Sequence, residues 1–379
     1  LYPSRNQFPV MRGAMIALSG NSGASGGPHL HFEVRESSTE DPLNPLLFDF
    51  GISDKERPVI EKIILYPLTR YSTVNSSHEG VSFRATGSSG SYTINAPSPV
   101  TVNGLIGVGV KCWDSSDNSP NKCGVYSIEV IVDSVSVYTF RADRFSFAES
   151  RFLNSHIDYR SKVVANEYLH KAFLEPGNRL SMYSGLVNRG KVLFEDNKEH
   201  RIQVRVKDAA GNLSVASFKV RSAEHPPVPP AEIKCSKILP FGKAADFSAD
   251  GIRIHFPASA FYDTLFMNYR VKGSAGRFLS PVHSVHDEAF AVNSPFRISI
   301  MPDTVITGKE DKLCLASIDR KGNASFSGGE TKYGFVTAEV RRLGDYAVSI
   351  DTIKPEIIPS FAHGAVLTGE NRITFTIRD

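Results

Sequence analysis

The stretch GNSGASGGPHLHFEVR, residues 20–35, holds the side chains best suited to chemistry. His29 and His31 stand one residue apart at the end of a glycine-rich loop. In an extended chain, residues i and i+2 project from the same face. His29, His31 and Glu33 are therefore expected to line one face of a strand, with Leu30, Phe32 and Val34 packed beneath. Two neighbouring imidazoles can divide labour: one holds a metal while the other moves a proton or steadies an oxyanion. Gly20, Gly23, Gly26 and Gly27 would let the backbone approach a substrate closely, and Pro28 stiffens the lead into the strand. A bare H-x-H also decorates ordinary surface strands. The flanking glycines, the proline and the F-E-V-R that follows set this one apart.

Other polar groups carry weaker signals. In WDSSDNSPNKCG, the residues Asp114, Asp117, Asn118 and Asn121 could offer hard oxygen ligands to calcium. The run lacks the glycine and terminal glutamate of an EF-hand, and Asp, Asn, Ser and Pro also make turns, so a turn is the preferred reading. His156 with Asp158, and His283 with His286, have no cysteine or carboxylate cluster beside them and are read as structural. No P-loop or dinucleotide fingerprint is present. Cys112, Cys123, Cys235 and Cys314 form no CxxC pair, which argues against a zinc knuckle. Cys112 and Cys123 flank a polar loop, an arrangement compatible both with a disulfide in an oxidising compartment and with free thiols.

The elements that must position these residues read as strands. The segment HRIQVRVKD alternates strictly, with His200, Ile202, Val204 and Val206 on one face and Arg201, Gln203, Arg205 and Lys207 on the other. A turn at 209–212 returns the chain as LSVASFKVR. The signature D-x-x-G-N occurs at Asp208–Asn212 and again at Asp319–Asn323. A second echo, D-x-x-x-P-x-I, occurs at Asp54, Pro58 and Ile60 and again at Asp351, Pro355 and Ile357. Each copy reads as a linker in which proline holds the chain extended ahead of a strand. EHPPVPPAEI, residues 224–233, is a stiff proline-rich spacer. SKVVANEYLHKAFL, residues 161–174, reads as a helical insert.

With 379 residues, 41% hydrophobic and 22% charged, the chain is globular and long enough for roughly two to four domains. The boundaries divide it into 1–50, the tail of one domain; 51–223, a large β domain; 230–350, a second β domain; and 351–379, the start of a third. The fold class is mainly β, with sandwiches of the kind that serve as spacers or binding modules. A formal charge of +3 argues against a dedicated nucleic-acid binder, and no apolar run reaches the roughly 18 residues of a membrane span. The chain begins at Leu1 and ends on RITFTIRD, a strand cut short, so both ends are expected to be missing. The lack of a leader peptide then says nothing about compartment.

SGNSGASGGPHLHFEVR followed by DPLNPLLF resembles the C-terminal end of the lysostaphin/LytM-like zinc endopeptidases, which cut peptide bridges of bacterial cell walls. The family pattern G-x-(S/T)-G-x-S-x-G-P-H-L-H-F/Y-E is matched almost throughout. VMRGAMIALSG resembles the strand and turn that precede it. The resemblance covers about the first 50 residues. It implies a truncated antiparallel β peptidase domain, with His31 as a zinc ligand and His29 as a catalytic histidine that polarises the scissile carbonyl or assists the metal-bound water. The family's H-x-x-x-D ligands and its further Tyr-x-His histidine have no match here. A catalytic zinc takes three protein ligands and a water, so this chain alone is expected to be inactive. The rest, with RFSFAESRFLNSHIDY and the D-x-x-G-N hairpins, is similar to the Ig-like accessory region that follows this peptidase in some Bacteroidetes-type envelope proteins. The resemblance implies a periplasmic or envelope setting, Zn2+ as cofactor, peptidoglycan peptides as substrate, and envelope proteins as partners of the Ig-like domains. The rival expectation is a degenerate, non-enzymatic protein that binds the wall or activates other hydrolases.

Overall fold

The computed structural model describes residues 4, 6–21, 26–96, 99–117, 119–223, 228–273, 276–304, 307–352, 354–368 and 372–378. The chain is mainly β, with two separate buried cores.

The first core is organised by the strand Val100–Trp113. Its apolar residues run almost without interruption, as in a strand buried on both faces. Beyond Gly104 it pairs antiparallel with Val59–Pro67. Before Gly104 it pairs parallel with Leu213–Ser222, Val100 standing opposite Val220. Gly104 has φ +76°, and a Cβ there would meet Ser72 Oγ at 2.7 Å. A glycine is therefore required where the strand passes from one neighbour to the next. From Val59–Pro67 the sheet continues through Val81–Ser88, Ser91–Ile94 and Leu213–Ser222, which pairs back on Val100–Trp113. The strands Glu199–Lys207, Ser127–Val132 and Val135–Arg141 extend it. Folding over in this way puts Ile63, Leu65, Val108 and Val110 into one cluster with Ile128, Val130, Ile202 and Val204.

The alternation of HRIQVRVKD appears as the strand Glu199–Lys207, paired antiparallel with Leu213–Ser222. Ile202, Val204 and Val206 are fully buried. The D-x-x-G-N turn is closed by its own first residue: Asp208 Oδ1 accepts from Asn212 N at 2.8 Å, and Gly211 takes φ +94°. Both D-x-x-x-P linkers end at a strand, Pro58 before Val59–Pro67 and Pro355 before Glu356–Pro359. The insert expected over 161–174 is helical only at Tyr159–Ala165. Asp158 caps it by accepting from Ser161 N, and Asn166 ends it in the left-handed region. Beyond that point Leu169, Ala172, Phe173 and Leu174 are all buried, a stretch that enters the core instead of following helical spacing. Of the 224–233 spacer, residues 224–227 lie outside the described residues. Its later part is held by Ala231 N donating to Arg70 O at 2.8 Å.

The second core lies between two antiparallel five-stranded sheets, a β-sandwich. One runs Ala245–Ala249, Ile252–Phe256, Phe296–Ile300, Phe335–Val340 and Glu330–Lys332. The other runs Tyr269–Lys272, Val282–Val285, Gly344–Ile350, Leu313–Ile318 and Ala324–Phe326. The second D-x-x-G-N turn joins the last two of these strands, with Asp319 Oδ1 accepting from Asn323 N at 2.8 Å. The two bodies touch. Gly177 N donates to Tyr262 O at 2.7 Å, the Tyr262 hydroxyl donates to Arg151 O, and Arg160 pairs with Asp287 at 2.8 Å. Among the described residues no helix is long and apolar enough to cross a membrane.

Residues 4–50 differ from the expected strand array. Among the described residues here, regular structure consists of the pair Val34–Arg35 and Pro42–Leu43 and a short 3-10 turn at Pro45–Leu47. VMRGAMIALSG is irregular and exposed. The ladder at Val34 is short because its partner contains Pro42, which has no N–H to donate. The segment is docked on the first β body by Asn44 N to Asp143 O, 2.9 Å, and by Arg144 to Asp41, 3.0 Å.

Candidate functional site

His29 and His31 lie outside the strands, just before Val34–Arg35. The expectation that Leu30 and Phe32 pack beneath them does not hold: they are 88% and 59% exposed. Without a second layer under the segment, nothing covers those side chains. Phe32 instead meets Phe50 edge to face at 5.4 Å. Gly20, Gly26 and Gly27 have open space where a Cβ would sit, while Gly23 lies outside the described residues.

Hydrogen bonds set the two imidazoles differently. His29 Nδ1 lies 2.9 Å from the Gly27 carbonyl. A carbonyl only accepts, so Nδ1 carries the proton and the neutral ring has its lone pair on Nε2. His31 Nε2 lies 2.7 Å from Glu33 Oε1, so the neutral ring has its lone pair on Nδ1. Glu33 is itself held by Arg35, whose Nε donates to Oε2 at 2.5 Å. The His31 hydrogen bond, then that of Arg35, keeps the Glu33 carboxyl below the usual range. A carboxylate that orients an imidazole from behind is the arrangement that supports metal-binding histidines. His31 thus fits one ligand of a zinc site. The described residues bring no set of three His, Cys, Asp or Glu groups around it.

The remaining sequence candidates separate. His156 is 3% exposed and stacks on Phe140 at 4.5 Å, with Nε2 2.8 Å from His170 Nδ1. It is part of a core. Asp158 caps a helix and accepts from Tyr66 Oη at 2.8 Å. His283 bonds Tyr269 Oη at 2.7 Å, whereas His286 Nδ1 accepts from Asn268 N at 3.3 Å. They face different neighbours and make no joint site. All four cysteines are unpaired, Cys112 and Cys314 buried.

The polar loop after Trp113 holds what the sequence reading set aside. Asn118 lies outside the described residues, Asn121 is exposed, and Asp117 accepts from Lys55 N at 2.9 Å. Asp114, however, is buried beside Asp54 and Asp208, and one carboxylate oxygen from each lies within 4.8 Å of the other two. Burial, then Asp208, pushes Asp114 up to about 6. The signal was present in the sequence as separate pieces: Asp54 and Asp208 head the two repeated signatures, but only the fold brings them to Asp114.

Comparison with known families matches residues 236–351 to a Zu5-like domain. The match spans the second β body. No curated protein matches the chain.

Proposed function

We propose that this chain is part of a cell-envelope zinc endopeptidase that hydrolyses peptide bonds in peptidoglycan, with His31 a metal ligand, His29 a catalytic histidine, and the β bodies accessory domains. The observation that carries the reading is the G-x-S-G-G-P-H-L-H-F-E run, in which both imidazoles are exposed and each has one nitrogen set by a hydrogen bond. Zinc, when bound, would supply Lewis-acid activation of water and carbonyl. Glu33, braced by Arg35, holds the His31 ring with Nδ1 outward. His29, its Nδ1 proton on Gly27 O, offers Nε2 as the base or as a hydrogen-bond donor after protonation. The exposed apolar side chains of this region, such as Met15, Ile16, Leu18 and Leu30, suit a face that the remainder of a peptidase sheet would cover.

Peptidoglycan cleavage by the product of the complete gene is the test. His31→Ala should abolish it, and Glu33→Gln should reduce it roughly 10-fold or more by loosening the ring. Undiminished lysis by His31→Ala overturns the proposal. A second reading, a non-enzymatic wall-binding or hydrolase-activating scaffold, is favoured by the absence of further ligands around His31 among the described residues. Retention on isolated cell walls with no cleavage by the complete product would select it.

A further inference from the structure

Asp54, Asp114 and Asp208 come from the first D-x-x-x-P linker, the polar loop and the first D-x-x-G-N turn. Asp114 is 4% exposed and Asp208 3%. The three form no ion pair with Lys, Arg or His among the described residues. Their hydrogen bonds leave the centre of the cluster unserved. Asp208 takes Asn212 N on Oδ1 and Asn212 Nδ2 on Oδ2, at 2.8 and 2.7 Å. Asp54 Oδ1 takes Glu56 N at 3.1 Å. Asp114 Oδ2 meets the weak donor Cys123 Sγ at 4.0 Å. Asp114 Oδ1 is buried with no hydrogen-bond partner at all. An orphaned carboxylate oxygen in a buried site is costly, and two further carboxylates beside it add repulsion.

A cation at the centre removes both costs. We propose that Asp54, Asp114 and Asp208 bind a calcium ion that ties the linker following the histidine segment to the first β body. All-oxygen, carboxylate-rich donors suit a hard cation. Three carboxylates brought together from a linker, a loop and a turn suit the adaptable coordination of calcium better than the near-ideal octahedron that magnesium demands. The scaffold is fixed in advance: Asn212 Nδ2 also donates to Asp54 O at 3.1 Å, bridging turn and linker, and Ser214 Oγ anchors Pro58 O at 2.5 Å. The cluster borders a cleft under Leu46, Phe48, Phe50 and Ile52, so the ion would sit where the N-terminal segment crosses onto the β body. The second D-x-x-G-N turn is an internal control. Asp319 makes the same bonds to Asn323 but is exposed and has no such cluster among the described residues. The turn alone does not make the site.

Trp113, the single tryptophan, directly precedes Asp114 and can sensitise bound terbium, a calcium surrogate. The chelator-treated chain is titrated with Tb3+ under tryptophan excitation. The expected result is emission that saturates at one Tb3+ per chain and is displaced by Ca2+, together with a Tm raised by roughly 5 °C in saturating Ca2+. Asp114→Asn should weaken Tb3+ binding at least 10-fold, while its Tm in EDTA stays at or above that of the parent because a repulsive buried charge is gone. Asp54→Asn, at a less buried position, should weaken binding without loss of fold. No saturable emission and no Ca2+-dependent Tm, or emission unchanged in both variants, overturns the proposal.

Discussion

At the scale of single residues, burial decides which histidines are chemical and which are structural. His156 and His170 share one hydrogen bond inside the first core, and burial holds His156 well below the usual imidazole range and His170 at about 4. An unfolded histidine titrates near 6.5. Between about 6.5 and 4 the unfolded chain therefore binds more protons than the folded one, and stability falls as pH falls. It is fully present above pH ~6.5. The Tm should drop as pH is lowered from 7 to 4.5. His170→Asn, whose amide can occupy the Nδ1 position and keep the bond to His156, should flatten that profile by removing one titration. An identical pH dependence in the variant would show that the pair contributes nothing. The sequence separated these roles only in part. His29 and His31 stood out by their glycine-rich setting, and His156 looked solitary. Its partner His170 sits on the far side of the helix Tyr159–Ala165, and nothing in local spacing joins them. The same blindness hid the Asp54–Asp114–Asp208 cluster.

At the scale of elements, alternation was legible and continuous apolar runs were not. Glu199–Lys207 could be read residue by residue because one face stays wet, and its turn followed from Asp208, Gly211 and Asn212. Val100–Trp113 has no such contrast, and its glycines carry the information instead. A Cβ on Gly107 would lie 2.4 Å from the Phe173 ring, and one on Gly109 2.7 Å from the Tyr66 ring. Those rings cross the strand 5.6 Å apart. The glycines are the grooves that admit them, and the ring at Phe173 belongs to the run that stops being helical after Asn166. Gly107→Ala should cost about 2 kcal/mol in urea unfolding, the usual range for overpacking. Adding Phe173→Leu should recover part of it. Additive losses in the double variant would mean that the two side chains do not compete for this space.

At the scale of the whole molecule, prolines and turn signatures marked where bodies begin, since they act locally on the backbone. How the bodies dock was not legible, because it depends on contacts between residues distant in sequence. Tyr262 is the main one. Its ring is buried against Phe152 at 6.4 Å, its hydroxyl binds Arg151 O, and its carbonyl accepts from Gly177 N, where a Cβ would come within 2.8 Å of Tyr262 Cα. Tyr262 lies outside the apolar cluster of its own sandwich, so its burial serves the junction more than the fold of either body. Truncating it orphans Arg151 O and leaves a cavity between cores that are each complete, while the backbone bond from Gly177 N remains. Calorimetry of the parent chain should give one dominant transition for residues 51–351, whereas Tyr262→Ala should resolve two, one for each core. A single unshifted transition in the variant would mean that Arg160–Asp287 and the spacer couple the bodies without it. This coupling bears on the proposed function as well, because a rigid pair of β bodies fixes how far the histidine segment, docked through Asp41 and Asn44, stands from whatever surface the Zu5-like sandwich meets.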